Sequence, residues 1–331
     1  MGKKKILVTG ASGFIGKFLI KELIKNKNNH VIGVYNNSNY LSLKKEFGKK
    51  VDWLKIDLVK DNLANVLPDV DLVYHLSGYY TSSSNSYELT KLKKINLIGT
   101  KKLATAYKSL KIKQFIFISS IAACELSKDS IINEENGLPQ SLYGKIKKKT
   151  ENELFRISKG SYNVTVLRPT AIFGEHHKGT LFEIAKIIKK IKFVKFGSDV
   201  CYTNFYYVRD FVNLLVRIAL QKQFFNKVFI AADKPHKLET IIFEIQNSLN
   251  YEKRIYFLPL WLGYIFAATF ELIFLIIGRY KLFSFKRLTN MNNKVQFSNK
   301  KITKLLSINN QYGVLKGIVR TIRWYKEMRM L

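Results

Sequence analysis

The sequence predicts an α/β protein, a doubly wound parallel sheet followed by a smaller C-terminal substrate lobe. Three observations predict it. Short apolar runs alternate with amphipathic helical stretches over residues 4–168. The first of these runs leads directly into a loop carrying three glycines. The chain has 331 residues, 47% of them apolar, enough to bury a sizeable core, which excludes a disordered protein.

The elements follow in order. Residues 4–9 (KKILVT) form a short buried strand, and 14–25 repeat apolar side chains at helical spacing. Strands are expected at 30–35, 51–56, 71–76, 114–119 and 163–168, with a helix over 86–110 and a polar helix over 143–158. Strands separated by helices require crossovers, and right-handed crossovers give a doubly wound sheet. Beyond residue 168 the rhythm loosens. Helices at 180–192, 210–221 and 238–249, with a strand at 227–231, are assigned to the smaller lobe. The expected division is 1–168 for dinucleotide binding and 169–331 for substrate. No Pro/Gly/Ser linker separates them, so the two parts interleave.

The loop reads Thr9-Gly10-Ala11-Ser12-Gly13-Phe14-Ile15-Gly16. Between a strand and an amphipathic helix, such glycines allow a tight turn, close backbone approach to a pyrophosphate, and helix–strand packing. The helix N-terminus then faces the phosphates, a Rossmann-type arrangement. The 2′ group of the cofactor is less defined. An acid ending the second strand would hold a ribose hydroxyl, but Tyr35-Asn36-Asn37-Ser38 stands there. Asn36, Asn37 and Ser38, with Lys44 or Lys45, can receive a phosphate, which tilts NAD(P)(H) slightly to NADP(H). Asp57 and Leu58 suit the adenine side of the pocket, and Leu76-Ser77-Gly78 ends the fourth strand with a small residue where backbone must come close.

Tyr143 and Lys147 stand four apart on a helix and share a face. A phenol titrates near pH 10, too high for a base at neutral pH, and a nearby ammonium favours the phenolate. Ser120 ends the fifth strand, 23 residues earlier, where its hydroxyl can bond a substrate oxygen.

With these residues in place, the chain resembles an extended short-chain dehydrogenase/reductase of the NAD-dependent epimerase/dehydratase family. The resemblance rests on the glycine loop, Asp57-Leu58, Asp71-Leu-Val-Tyr-His-Leu-Ser77, Asn96-Leu-Ile-Gly-Thr100 and Ser119-Ser120. It continues through Tyr143-Gly-Lys-Ile-Lys147, Leu167-Arg-Pro169, Tyr207-Val-Arg-Asp210 and Trp324-Tyr325-Lys326. It implies that Ser120, Tyr143 and Lys147 are catalytic and that Asn96 shapes the site from its helix. It also puts Ser119, Pro169 and Ile172 with the cofactor set and the chain in a homodimer. Tyr79 and Tyr80, which follow the fourth strand, are expected either to line the substrate pocket or to cap a core edge.

Departures narrow the reaction. Related 4,6-dehydratases carry an Asp-Glu pair after the catalytic hydroxyl, whereas Ile121-Ala122 follows Ser120 here. The run Thr170-Ala-Ile-Phe-Gly-Glu175 resembles the ketoreductase and 3β-hydroxysteroid dehydrogenase branches. Two enzyme readings stay open: a nucleotide-sugar ketoreductase or epimerase, and a 3β-hydroxysteroid dehydrogenase-like reductase of a lipidic substrate. A non-catalytic dinucleotide- or RNA-binding protein is the remote third.

Residues 256–277, Tyr256 through Ile277, hold one charge, Glu271, between Lys253-Arg254 and Arg279 with Lys281. The length would span a bilayer, but Glu271 and Pro259 oppose a span. A substrate-lobe helix and a peripheral membrane contact are the readings carried forward. The formal charge is +32, from 56 Lys and Arg against 24 acids. Only 10 of the 56 are Arg, and no nucleic-acid motif is present, so this excess reads as compositional bias rather than a nucleic-acid surface. Cys124 and Cys201 make no disulfide framework, and a reducing, cytoplasmic setting is expected. His176 and His177 lack a metal-ligand pattern and are read as surface residues; His75 is read as a core histidine; no metal is expected.

Overall fold

Seven parallel strands carry the molecule. The computed structural model describes residues 2–36, 40–81, 85–110, 112–125, 127, 130–190, 193–197, 200–252, 254–277, 294–307 and 310–331, without the side chains of 270–277. The strands are β1 (Lys4–Thr9), β2 (Asn29–Tyr35), β3 (Val51–Lys55), β4 (Leu72–His75), β5 (Gln114–Ile118), β6 (Asn163–Pro169) and β7 (Lys227–Ala231). Their order across the sheet is β7-β6-β5-β4-β1-β2-β3. Every neighbouring pair is parallel.

The expected sheet had six strands, with 227–231 in the smaller lobe. The structure corrects this: Lys227–Ala231 extends the main sheet, with Val228 opposite Val166 and Ala231 opposite Pro169. An apolar run of five residues has the periodicity of a buried strand whichever sheet it joins.

Central strands are buried on both faces, as a parallel sheet covered by helices requires. Phe115, Ile116 and Phe117 alternate between the two faces, and all are fully buried. One face packs on the first helix, Phe14–Leu23, and on Val208–Ile218. The other packs on Thr100–Ser109 and Leu142–Ser158.

The helix expected over 86–110 contains an irregularity. Ser86–Lys93 is α-helical, Lys94–Gly99 is a π-helical turn, and Thr100–Ser109 resumes the α-helix. A wide turn inside an α-helix redirects side chains and carbonyls, and it falls on Asn96. The smaller lobe is stitched by short strand pairs, Ala171–Phe173 with Phe205–Tyr207 and Phe193–Phe196 with Ile255–Leu258. The terminal helix Gly313–Glu327 begins on Asp210, whose buried carboxylate accepts the Tyr312 and Gly313 N–H groups at 3.2 and 2.8 Å. Asp210 is therefore a structural anchor between two helices. Within 256–277 the chain makes the strand Ile255–Leu258, passes Pro259, and forms the helix Leu260–Ile277. Among the described residues, no helix is long and apolar enough to cross a membrane.

Candidate active site

The glycine loop closes on the end of β4. Gly10 has φ +66°, and a Cβ there would lie 2.8 Å from the Ser77 nitrogen. At Gly16 a Cβ would meet the Gly10 carbonyl oxygen at 2.2 Å, so only glycine lets the first helix start this close to the strand. The result is a cavity of about 330 Å³ lined by Gly10, Ser12, Gly13, Asn36, Asp57 and Leu58, and by Leu76, Ser77 and Gly78 on its far wall. Backbone from two strand ends and a helix N-terminus form its walls, a cradle suited to a dinucleotide's phosphates.

Burial pushes the Asp57 carboxyl up. The Val59 and Lys60 N–H groups and the Asn36 amide outweigh it and hold the group below the usual carboxylate range. Asn37 and Ser38, named above for a 2′-phosphate, lie outside the described residues. Phe14 and Ile15 do not line this cavity. Phe14 stacks on His177 with ring centroids 4.5 Å apart, and Ile15 packs into the core. His177 is thus a half-buried packing partner rather than a surface residue.

A second cavity, of about 690 Å³, opens beside the first. Tyr80, Thr81, Ser120, Glu125, Tyr143 and Pro169 contribute to its lining. The corner that holds Ser120 and Tyr143 depends on how the helix Leu142–Ser158 meets the turn after β5. Ser141 caps the helix, its Oγ accepting the Gly144 N–H at 3.1 Å. The Ser141 N–H in turn donates to Glu125 Oε1 at 2.7 Å. Ser120 caps the short turn Ile121–Cys124, its Oγ accepting the Ala122 N–H at 3.2 Å. The Ser120 hydroxyl is close enough to the Tyr143 phenol to favour its ionised form. The Tyr80 ring meets Tyr143 edge-on at 5.2 Å.

Lys147 is buried one turn on. Its Nζ donates to the Ile118 carbonyl at 3.0 Å, sits over the Phe117 ring at 4.7 Å, and lies 5.9 Å from the Tyr143 ring centre. A Cβ on Gly78 would lie 3.6 Å from that Nζ and 3.1 Å from the Asn96 side-chain oxygen. Ser120, Tyr143 and Lys147 therefore stand together where the dinucleotide cavity meets the larger one. Burial pushes the Tyr143 phenol up to about 12 against the lowering effect of the Ser120 hydroxyl, so the resting group is protonated. Burial pulls the Lys147 ammonium down to about 8, against the favourable field of Glu151.

The lysine shift sets a pH dependence. An unfolded lysine keeps its proton to about 10.4. Folded Lys147 releases its proton from about 8. Between those values the unfolded chain binds more protons, so stability rises with pH. Below them the full cost applies, roughly 3 kcal/mol at 1.36 kcal/mol per pH unit. The gain in denaturant midpoint on going from neutral to alkaline pH should therefore shrink in Lys147→Met. An equal gain in variant and parent would contradict the burial argument.

The remaining predicted residues are distributed as follows. Asn96 Nδ2 donates to the Tyr79 carbonyl at 2.7 Å, and its Oδ1 accepts the Tyr79 N–H at 3.2 Å, fixing the turn after β4. The Tyr79 hydroxyl donates to Glu88, and its side chain packs on the Leu92, Leu97 and Ile146 cluster without lining either cavity. Ser119 is buried, its hydroxyl donating to Glu151 Oε1 at 2.5 Å. Ile172 packs against the core from the strand Ala171–Phe173.

His75 is fully buried, and burial drops its pKa to about 3. One tautomer satisfies the whole network around it: Nε2–H donates to Thr100 Oγ1 at 2.8 Å, and Nδ1 accepts from Thr9 Oγ1 at 2.6 Å. The Thr100 hydroxyl donates in turn to the Asn96 carbonyl at 2.8 Å. The glycine loop and the wide turn at Asn96 are thereby tied through the sheet. Among the described residues, no cluster of His, Cys, Asp and Glu could hold a metal ion.

Four residues escaped the sequence reading. Glu125 follows Ser120 by five positions and lines the larger cavity with it. Glu151 and Arg168 form a fully buried pair behind Ser119. Gly144 lets the catalytic helix touch the serine turn, since a Cβ there would sit 2.0 Å from the Ala122 carbonyl oxygen. Gly144→Ala must push Tyr143 away from Ser120. A displacement near 1 Å costs on the order of 10²-fold in kcat. Steady-state rates beside a melting curve check this, and an unchanged kcat in a folded variant would contradict it.

Comparison with known proteins agrees with this geometry. The family model described as "NAD dependent epimerase/dehydratase family" matches residues 6–230, and the chain belongs to that family. The N-acetyl-alpha-D-glucosaminyl-diphospho-ditrans,octacis-undecaprenol 4-epimerase of Escherichia coli O157:H7 is 26% identical over 329 residues, covering 96% of this chain and 94% of that protein. A 3 beta-hydroxysteroid dehydrogenase/Delta 5-->4-isomerase of vaccinia virus (strain Western Reserve) is 27% identical over 217 residues, 60% of this chain and 62% of its own. The crystal structure of UDP-glucuronic acid 4-epimerase from Bacillus cereus, in complex with UDP-glucuronic acid and NAD, superposes with a TM-score of 0.76. It is 21% identical and covers 98% of this chain and 99% of that one, a likeness of fold.

Proposed function

We propose that this protein is a 4-epimerase of a sugar carried on a diphosphate, either nucleotide-linked or polyprenyl-linked. The observation that carries the reading is the placement of Ser120, Tyr143 and Lys147 at the junction of the two cavities. When bound, a nicotinamide dinucleotide supplies a reversible hydride acceptor. The chain's own residues handle the proton. Tyr143 Oη takes it from the sugar hydroxyl, Ser120 Oγ donates to the substrate oxygen, and the Lys147 ammonium favours the phenolate. An epimerase must also let the oxidised sugar turn over before Tyr143 returns the proton, and a cavity of about 690 Å³ leaves room for that. The full-length relative acts on a sugar joined to a lipid by diphosphate, whereas the 3β-hydroxysteroid dehydrogenase match covers 60% of the chain.

For the cofactor we favour NAD(H). The Asn36 amide is engaged with the Asp57 carboxylate, and that ionised group lines the cavity where a 2′-phosphate would add negative charge. Of the residues behind the sequence expectation of NADP(H), Asn37 and Ser38 lie outside the described residues. Competing titrations should give tighter binding of NADH, and tighter NADPH would restore the sequence expectation.

The function is tested by incubating the protein with UDP-glucose, UDP-N-acetylglucosamine and polyprenyl-diphosphate N-acetylglucosamine and identifying the products. The proposal expects a C4 epimer of at least one, with no accumulation of reduced cofactor. Stoichiometric reduction of cofactor, or no turnover of any of the three, would overturn it.

A further inference from the structure

We infer that the helix Leu260–Ile277 and the strand before it dock the protein on an anionic bilayer surface. This inference concerns location and stands independently of the epimerase reading. The helix is inside out. Its buried positions over 261–269 are Gly263 and Ala267, one turn apart on a single face. Trp261 and Ile265 lie on the opposite face, exposed to 61% and 52%, and Tyr264 on the flank is exposed to 50%. Phe257 in the preceding strand is exposed to 56%. A helix serving only the protein core would bury its large side chains and expose its small ones. A Trp–Tyr–Ile face with an aromatic neighbour has the composition that settles at the boundary between headgroups and acyl chains.

Charge selects the occupant. Exposed Lys189, Lys190 and Arg254 line a hollow of about 290 Å³ together with Tyr256, at the edge of the apolar face. Arg254 is paired with Glu252 at 3.1 Å, which leaves the two lysines as the net charge of this rim. An anionic leaflet complements the Lys189 and Lys190 rim, and a basic rim strengthens a shallow apolar insertion. A second copy of the chain is a poor occupant, since each copy carries +32.

The test uses the full chain without substrate, so failure here leaves the epimerase assay untouched. Flotation is compared on vesicles of phosphatidylcholine alone and on vesicles containing phosphatidylglycerol, at low and high salt. The proposal expects at least tenfold stronger binding to the anionic vesicles, weakened by salt. Trp261→Ser with Ile265→Ser should lower that binding tenfold or more with an unchanged melting temperature. Lys189→Gln with Lys190→Gln should reduce the preference for anionic lipid. Absence of vesicle binding by the parent chain would overturn the proposal, as would a Trp261→Ser/Ile265→Ser variant that binds as the parent does. So would a clear fall in that variant's melting temperature, which would mean the chain itself covers the face. A parent dimer in sedimentation that the same variant dissociates would assign the face to self-association instead and equally overturn it.

Discussion

Replacing Tyr143 with Phe lowers kcat by about 10²–10⁴-fold, the range that a positioned acid–base group supplies. The variant isolates the hydroxyl. A phenyl ring keeps the edge-on contact with Tyr80 and the burial of the site, so folding should be unaffected. What disappears is the proton carrier and its approach to Ser120. Because the resting phenol titrates at about 12, the phenolate is reached near neutral pH only where a neighbouring positive charge favours it, the role proposed for the Lys147 ammonium. With that ammonium held at about 8, kcat should fall as pH rises through that value. A variant that retains activity within a few-fold of the parent, at any pH, would remove Tyr143 from the mechanism.

Arg168→Leu is expected to destabilise the fold by about 3–5 kcal/mol, because it strands a buried carboxylate. Arg168 and Glu151 are each 1% exposed at the side chain. The guanidinium makes two bonds to the carboxylate, Nε to Oε1 at 3.0 Å and Nη2 to Oε2 at 2.6 Å. Ser119 adds a third bond to the same carboxylate, and Nη1 reaches the Glu134 carbonyl at 3.2 Å. The pair ties β6 to the catalytic helix directly behind Lys147. Removing both charges in Arg168→Leu/Glu151→Leu should recover most of the loss, since the cost lies in leaving one charge unpaired. Denaturant midpoints of the three proteins measure this. A single variant as stable as the parent, or a double variant no better than the single, would show that the pair contributes little. The double variant also lacks the carboxylate that favours the Lys147 ammonium, so its activity should fall at lower pH than the parent's.

Much of this was legible in the sequence, for identifiable reasons. The strands over 4–168 are recognisable because buried parallel strands are short apolar runs punctuated by turns. Tyr143 and Lys147 are recognisable because a four-residue spacing on a helix is geometric. The glycine loop is recognisable because only glycine tolerates the contacts at Gly10 and Gly16. The membership of β7 in the main sheet was not legible, since it depends on long-range pairing with Thr165 to Pro169. Glu125 and Gly144 were missed because their roles come from a turn and a helix meeting in space. The Glu151–Arg168 pair lay unread because residues 17 positions apart on a helix and a strand carry no local mark. The wide turn at Asn96 breaks the helical period by one residue, too small a slip to show in an apolar pattern.

In the proposed reaction a carbon-bound hydrogen at C4 of a diphosphate-linked sugar is removed and returned within one protein-bound cycle. The most direct measurement uses a sugar diphosphate deuterated at C4, incubated with the protein in ordinary water. The C4 epimer should form with its deuterium retained, and Tyr143→Phe should form almost none. An epimer that has exchanged its deuterium for solvent hydrogen would contradict that reaction.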